Sequence, residues 1–100
     1  MNVTHNEAAQ QFEVTVDGET AALAYRRSPG VMTIVHTGVP DALAGRGIAG
    51  QLAVASLTYA RTQKLAVVPL CPFVSGYIRK HQEYLDLVHE AYRERLTRPD

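Results

Sequence analysis

The chain has 100 residues, of which 46% are hydrophobic and 20% are charged, and this predicts one globular domain over residues 1–100. Ten basic and ten acidic side chains cancel, so no overall charge favours nucleic acid or an anionic membrane as a partner. The one cysteine, Cys71, excludes an intrachain disulfide and fits a reducing compartment.

The sequence shows neither a leader peptide nor a membrane span. Residues 1–11 are polar and lack the apolar run of a secretory leader. The longest apolar stretch, residues 66–70, is far too short to cross a bilayer. We therefore expect a cytoplasmic protein without a membrane partner, present as a monomer or a weak homodimer.

The N-terminal part of the chain predicts an antiparallel meander of three strands. Apolar and polar residues alternate over residues 12–16, and Asp17-Gly18 is a strong hairpin signal. The return strand covers residues 20–26, with Ala22, Ala24 and Tyr25 expected near the sheet. A β-branched, apolar third strand is expected over residues 31–39.

The second half of the chain predicts a β-α-β unit followed by helical structure. A loop over residues 41–47 leads into a helix from residue 48 to about 63, and residues 66–70 form the next strand. Pro72 suits the first turn of a second helix, which should run to about residue 81. Residues 86–96 have a helical pattern. The fold class is thus α+β, an antiparallel meander followed by a β-α-β unit and a C-terminal helical segment.

The loop before the first helix contains two glycines, Gly45 and Gly47. Glycines let a backbone approach a ligand closely, and a helix start presents unpaired N–H groups to an anion such as a pyrophosphate. The loop lacks the Gly-Lys-Ser/Thr ending of a Walker loop and the dinucleotide fingerprint. On its own, such a pair of glycines before a helix more often only forms a turn.

The same loop resembles the Gln/Arg-x-x-Gly-x-Gly/Ala signature of GNAT acetyltransferases, whose backbone amides bind the pyrophosphate of acetyl-coenzyme A. Gly47 matches the required glycine and Ala49 the final small residue, whereas Ala44 departs from Gln/Arg. The segments His36-Thr37-Gly38-Val39-Pro40, Val68-Pro69-Leu70-Cys71-Pro72-Phe73-Val74, Tyr77-Ile78-Arg79 and His81-Gln82-Glu83-Tyr84 extend the resemblance over nearly the whole chain. Together they resemble a minimal GNAT-like family of about a hundred residues.

This resemblance implies a reduced GNAT fold, an acetyl-coenzyme A-dependent N-acetyltransferase activity, and acetyl-coenzyme A as cosubstrate. It implies that the third strand and residues 66–70 splay apart around the thioester. The implied cofactor-binding residues lie on the third strand and in the glycine loop: Val35, Thr37, Val39, Gly45, Arg46, Gly47, Ile48 and Ala49. Arg46 could supply the cation that Ala44 does not.

Three residues are candidates for the chemistry. Tyr77 resembles the GNAT tyrosine that protonates coenzyme A sulfur, and the alternative is a core aromatic with a hydrated hydroxyl. Cys71 could accept acetyl near a helix N-terminus, or could be a small buried residue that only lines the pocket. His36 could act as a base, or could be hydrogen-bonded within the sheet; alternation places Val35 and Thr37 on the opposite face.

Several functional questions stay open at the sequence level. The histidines and acids show no zinc-type spacing, so no metal is expected. Short connections between the strands predict an open acceptor face, accessible to a small-molecule or a protein amine.

The main alternative to an enzyme is a coenzyme A-binding or protein-interaction module without catalysis. A third possible function is that of a structural domain whose glycines are fortuitous. Nucleic-acid binding is disfavoured.

Overall fold

The computed structural model describes residues 2–97, so both ends of the expected 1–100 domain lie outside the described residues. One sheet has the strand order β1-β2-β3-β4-β5, and β5 is parallel to β4 while the earlier pairs are antiparallel. The strands are β1 (Thr4–Asn6), β2 (Gln11–Val16), β3 (Glu19–Ser28), β4 (Val31–Gly38) and β5 (Ala66–Pro69). The helices are α1 (Ile48–Gln63), α2 (Pro72–Lys80) and α3 (Glu90–Leu96), with 3-10 turns at Asp41–Leu43 and Gln82–Leu87. The α+β class is confirmed.

The meander has four strands rather than the predicted three, because β1 was missed. This strand is polar and only 3 residues long, so it shows no alternating pattern. It is held by pairing with β2 and by ring contacts of His5, which stacks on Phe12 with centroids 4.1 Å apart and lies edge-on to Tyr59 at 4.5 Å. Contacts of that kind leave no periodic signal in the sequence.

The prediction for β3 was right for Tyr25 and wrong for Ala22 and Ala24. Leu23 and Tyr25 are buried on this strand with Ala21, whereas Ala22 and Ala24 lie on the other face and are half-exposed. The register explains this, since β2 pairs Phe12 with Leu23 and thereby places both side chains in the same core.

A bulge interrupts the regular alternation of β4. Tyr25 pairs with Ile34, but the preceding residue Ala24 pairs with His36, so Val35 has no Cα partner on β3. After the bulge, Thr37 rather than His36 shares the face of Ile34. The sequence correctly placed His36 opposite Thr37, but the simple alternation assumed for Val35 does not hold.

Strands β4 and β5 part at the bulge. Their parallel register ends at the pair Ile34 and Pro69, and the carbonyl of Ile34 then accepts the N–H groups of both Leu70 (3.0 Å) and Cys71 (3.1 Å). Strand β4 continues to Gly38 without β5 alongside it. The regular pairing of the two strands therefore stops here, and the splaying around the thioester that the family resemblance implies stays a prediction.

The helices cover one side of the sheet. Helix α1 packs on β2 and β3 through Leu52, Ala53, Leu57 and neighbouring buried residues, and it has the predicted bounds. The C-terminal helical segment starts later than predicted, at Glu90. Val88 instead forms an isolated bridge with Val67 of β5, and the extended backbone at this point cannot continue a helix.

Candidate active site

The glycine loop connects β4 to α1 and is anchored by one buried side chain, Leu43. Residues 44–47 are exposed, and Gly45 and Gly47 have positive φ angles of 79° and 74°. A Cβ built at either glycine would meet nothing within 4 Å. The backbone conformation, rather than lack of space, therefore requires glycine at these positions.

The N-terminus of α1 is uncapped by any side chain. Gly47 occupies the N-cap position with a left-handed backbone, no side chain accepts a hydrogen bond there, and the first turn contains no acidic residue. The structure records no acceptor among residues 2–97 for the N–H groups of Ile48, Ala49 and Gly50. These donors, the helix dipole and the exposed Arg46 suit a pyrophosphate.

A groove runs from the glycine loop along the junction of α1 and α2. One part, of about 450 Å³, is lined by Gly47, Gly50, Gln51, Val54, Ala55 and Tyr77. The adjoining part, of about 290 Å³, is lined by Val39, residues 43–45, residues 47–50 and Phe73. Both parts share the start of α1, so an anion bound there can continue into a largely apolar groove.

An aromatic row runs along one face of α2 and its C-cap. It is formed by Phe73 and Tyr77, which line the groove, and by His81, which stacks on Tyr77. Their spacing of four residues places them on one face of the helix. The rings of Phe73 and Tyr77 are 6.3 Å apart, and those of Tyr77 and His81 are stacked at 4.1 Å. Opposite them, a Cβ added to Gly50 would lie 3.8 Å from Tyr77 Cε1, so α1 approaches the row closely.

The phenol of Tyr77 is suited to hold a proton. Burial raises the pKa of Tyr77 above its usual value, and Tyr84 and Glu83 add to this rise. A raised pKa keeps the hydroxyl protonated at neutral pH, which is the state of a proton donor. Tyr77 is also packed against His81 and Tyr84, so its ring has a core-like contact on one side as well as the groove on the other.

Cys71 lies where the sequence predicted, at the N-cap of α2. Its side chain is 2% exposed, and Sγ lies 3.3 Å from the hydroxyl oxygen of Thr37 on β4. Its carbonyl accepts hydrogen bonds from both the backbone and the hydroxyl of Ser75. Cys71 and Thr37 thus form a contact between the end of β4 and the residue at the start of α2.

The structure brings some candidate residues together and separates others. Thr37 and Cys71 are in contact, and Val39 lines the same groove as the glycine loop. His36 is exposed on the opposite face of the sheet from Thr37, with Ala24 as its strand partner. Val35 beside it is 43% exposed. His36 therefore does not adjoin the Thr37–Cys71 contact.

Several residues that line the groove were not among the predicted site residues, including Gly50, Gln51, Val54 and Phe73. The four-residue spacing of Phe73 and Tyr77 is a signal that could have identified the aromatic row. Which helix packs against this row, however, depends on tertiary packing.

Within residues 2–97, no three His, Cys, Asp or Glu side chains are grouped so as to hold a metal ion. None of the helices in this range has the length and apolarity needed to cross a membrane.

Comparisons with known proteins identify the family of the chain. The family model described as GCN5-related N-acetyl-transferase matches residues 11–87. Protein NATD1 of Mus musculus is 32% identical over 91 residues, covering 86% of this chain and 83% of that protein. Protein NATD1 of Danio rerio is 27% identical over 93 residues, covering 88% and 84%. 

A solved structure shows the same architecture. The NMR solution structure of a GCN5-like protein from Staphylococcus aureus matches with a TM-score of 0.69 and 27% identity, covering 88% of this chain and 87% of that chain. The family match includes β2 to β5, the glycine loop, α1 and α2. The chain belongs to the GCN5-related N-acetyltransferase family.

Proposed function

We propose that the protein transfers acetyl from acetyl-coenzyme A to an amine, either of a small molecule or of a protein. The observation that carries the proposal is the uncapped N-terminus of α1, which opens into the groove beneath Tyr77. A cytoplasmic location remains part of the proposal.

The residues present fit acetyl-coenzyme A. The N–H groups at Gly47, Ile48 and Ala49 would hold the pyrophosphate, with Gly45 shaping the loop and Arg46 adding positive charge. The backbone of β4 from Val35 to Val39 lies beyond the end of the β5 pairing and would bind the amide-containing pantetheine arm. When bound, the cosubstrate supplies an activated thioester.

Tyr77 is the proposed acid. Its phenol would hold a proton for the sulfur of coenzyme A, and the rise of its pKa on burial keeps that proton in place at neutral pH. A positioned acid of this kind contributes about 10²-fold or more to a rate. The incoming amine must be uncharged, and His36 stays a prediction as its base, from the exposed face of β4.

We propose direct transfer of acetyl to the amine. The alternative is a covalent route through Cys71, which its N-cap position and the Thr37 hydroxyl at 3.3 Å support. The sulfur of Cys71 would attack the acetyl carbon and break its bond to coenzyme A, which would leave as the thiol. The amine would then take the acetyl group and release Cys71. Burial of Cys71 favours the simpler role of lining the pocket.

Mass spectrometry after incubation with acetyl-coenzyme A alone distinguishes the covalent route from direct transfer. One added acetyl group supports the covalent route. Its absence, together with full activity of Cys71→Ala, supports direct transfer.

The rival function is a coenzyme A-binding or interaction module that does not catalyse, which Ala44 in the place of Gln/Arg favours. The first test is calorimetric titration with acetyl-coenzyme A, followed by a coenzyme A-release assay over a panel of amines. We expect binding, and turnover that Tyr77→Phe lowers about 100-fold with little change in affinity. Binding without release of coenzyme A for any amine would support the module, and no binding would contradict both functions.

A further inference from the structure

The aromatic row on α2 ends in a histidine whose place is fixed by the backbone. His81 is the C-cap of α2, and its N–H donates to the carbonyls of Tyr77 (2.9 Å) and Ile78 (3.1 Å). Its imidazole lies over the Tyr77 ring, with centroids 4.1 Å apart and planes inclined by 26°. This stack is closer than the contacts of Tyr77 with Phe73 at 6.3 Å and with Tyr84 at 6.1 Å.

The charged and titratable groups around the stack are few. The carboxylate of Glu83 lies 4.0 Å from His81 Nδ1, and the ring of Tyr84 faces Tyr77 from the same 3-10 turn. Lys80 precedes His81 on α2 and is exposed. Helix α1 faces Tyr77 with Gly, Gln, Val and Ala side chains, none of which titrates. The His81 side chain is 42% exposed, so it can exchange protons with solvent.

We propose that His81 is a positioning residue for Tyr77, which holds the phenol in the α1–α2 groove and, as imidazolium, makes it a stronger acid. The inference rests on the proposed function, because it assigns a control of the same proton donor. Its two parts are separable: the stack restricts the ring, and the charge changes the acidity of the hydroxyl.

The direction of the electrostatic effect follows from the sign of the charges. A positive charge beside a phenol favours the phenolate and so lowers the phenol's pKa, opposing the rise that burial causes at Tyr77. Histidine side chains in general change charge between about pH 5 and 8, so a comparison of the two ends of that range tests the effect of an imidazolium on Tyr77. Proton donation by Tyr77 should therefore become harder as His81 loses its charge.

Two substitutions separate position from charge. His81→Phe keeps a stacked ring but cannot be protonated, and His81→Ala removes both features. We expect His81→Ala to lower kcat about tenfold while KM for acetyl-coenzyme A stays within about twofold. His81→Phe should approach wild-type kcat at pH 8, and the ratio of wild-type to His81→Phe kcat should rise about fivefold on going to pH 6. Taking the ratio cancels the protonation of the amine acceptor, which is common to both proteins.

A readout without turnover accompanies the kinetics. With ¹³C-labelled tyrosine, the Cζ resonance of Tyr77 should shift across the histidine titration range in the wild type, and this step should vanish in His81→Phe. Glu83→Gln is the matched control, since it removes the nearby carboxylate and keeps both rings; the Cζ step should persist, at a displaced midpoint. An unchanged Cζ step in His81→Phe, or a pH-independent kcat ratio in an active wild type, would overturn this inference alone. Failure of the wild type to acetylate any amine would overturn the proposed function and the acid role of Tyr77 with it.

Discussion

The two ends of α1 both carry a residue with left-handed backbone geometry, Gly47 at φ 74° and Lys64 at φ 58°. At the C-terminal end, Lys64 donates its N–H to the carbonyl of Arg61 (3.2 Å), and Leu65 donates to that of Ala60 (2.8 Å), so two carbonyls of the last turn are satisfied. At the N-terminal end, the structure records no such partners among the described residues for the first N–H groups. One end closes the helix, and the other leaves it open to a ligand.

Cavity size does not distinguish these ends. A hollow of about 420 Å³ lies beside the C-terminal end, lined by residues that include Lys64, Asp86, Glu90 and Arg93. Charges of both signs occur there, and the adjacent Arg61 is paired with Asp86. The groove at the N-terminal end has a similar size but combines free backbone donors with apolar walls. Unsatisfied hydrogen-bonding groups, rather than volume, thus identify the candidate site.

The largest expected effect comes from adding a branched side chain at the open end. Gly47→Val should weaken acetyl-coenzyme A binding about 100-fold, because a β-branched residue disfavours the left-handed backbone that aims the N–H groups. Gly30→Val is the matched control, since Gly30 has φ 72°, equal free space, and a position at the other end of β4. Both variants should lose about 1–2 kcal/mol of unfolding free energy, and only Gly47→Val should lose affinity in calorimetry. Equal affinities for the two variants would contradict a site at the loop.

The second prediction separates helix stability from ligand binding. Ala49→Asp places a carboxylate in the first turn of α1, where negative charge stabilises a helix by about 0.5 kcal/mol. The same charge should repel a pyrophosphate and weaken acetyl-coenzyme A binding about tenfold at low salt. Ala49→Asn, of equal shape and no charge, should keep most of the affinity. Stability from urea unfolding and affinity from calorimetry should therefore change in opposite directions, and a parallel change would contradict an anion site here.

These two ends also show what the sequence could and could not predict. The bounds of α1 were predicted because its packed residues, such as Ile48, Leu52 and Ser56, recur at helical spacing. The glycines of the loop were recognisable because a positive φ is a local requirement. The bulge at Val35 was not predictable, because it is a property of the register between two strands, and one strand's sequence does not encode it.

The groove depends on contacts between distant segments. Phe73 and Tyr77 line the candidate site only because α2 packs against the start of α1, which places Tyr77 beside Gly50. Strand β1 was missed for a similar reason, since its ordering depends on the stack of His5 with Phe12 of the next strand. Local patterns thus predicted the elements, and tertiary packing determined which residues share the site.

The third prediction concerns the closed end of α1. Lys64→Gly should increase the free energy of unfolding by about 0.5–1 kcal/mol, because glycine adopts the left-handed conformation at φ 58° without the steric cost that lysine bears. Acetyl-coenzyme A affinity should be unchanged, since Lys64 lies at the other end of the helix from the glycine loop. Urea unfolding and calorimetry measure the two quantities. A change in affinity would show that the two ends of α1 are coupled, and would contradict their independence.

The smallest expected effect is that of the ion pair beside the closed end. Arg61 donates to both carboxylate oxygens of Asp86, at 2.8 and 3.1 Å, and this hydrogen bonding lowers the pKa of Asp86 below its ordinary value of 3.8. A lowered pKa in the folded state means that the pair stabilises the protein above about pH 4, and that this contribution disappears as the pH falls through the folded-state value. Both side chains are about half-exposed or more, so solvent and salt screen the pair and the effect is small.

The difference in unfolding midpoint between wild type and Asp86→Asn should therefore be slight at pH 7, smaller still in 1 M salt, and absent near pH 2. Because nothing at the open end depends on this carboxylate, acetyl-coenzyme A affinity should be equal in the two proteins. A loss of affinity in Asp86→Asn would contradict this. It would mean that the 3-10 turn Gln82–Leu87, which carries both Asp86 and the neighbours of Tyr77, transmits strain to the groove.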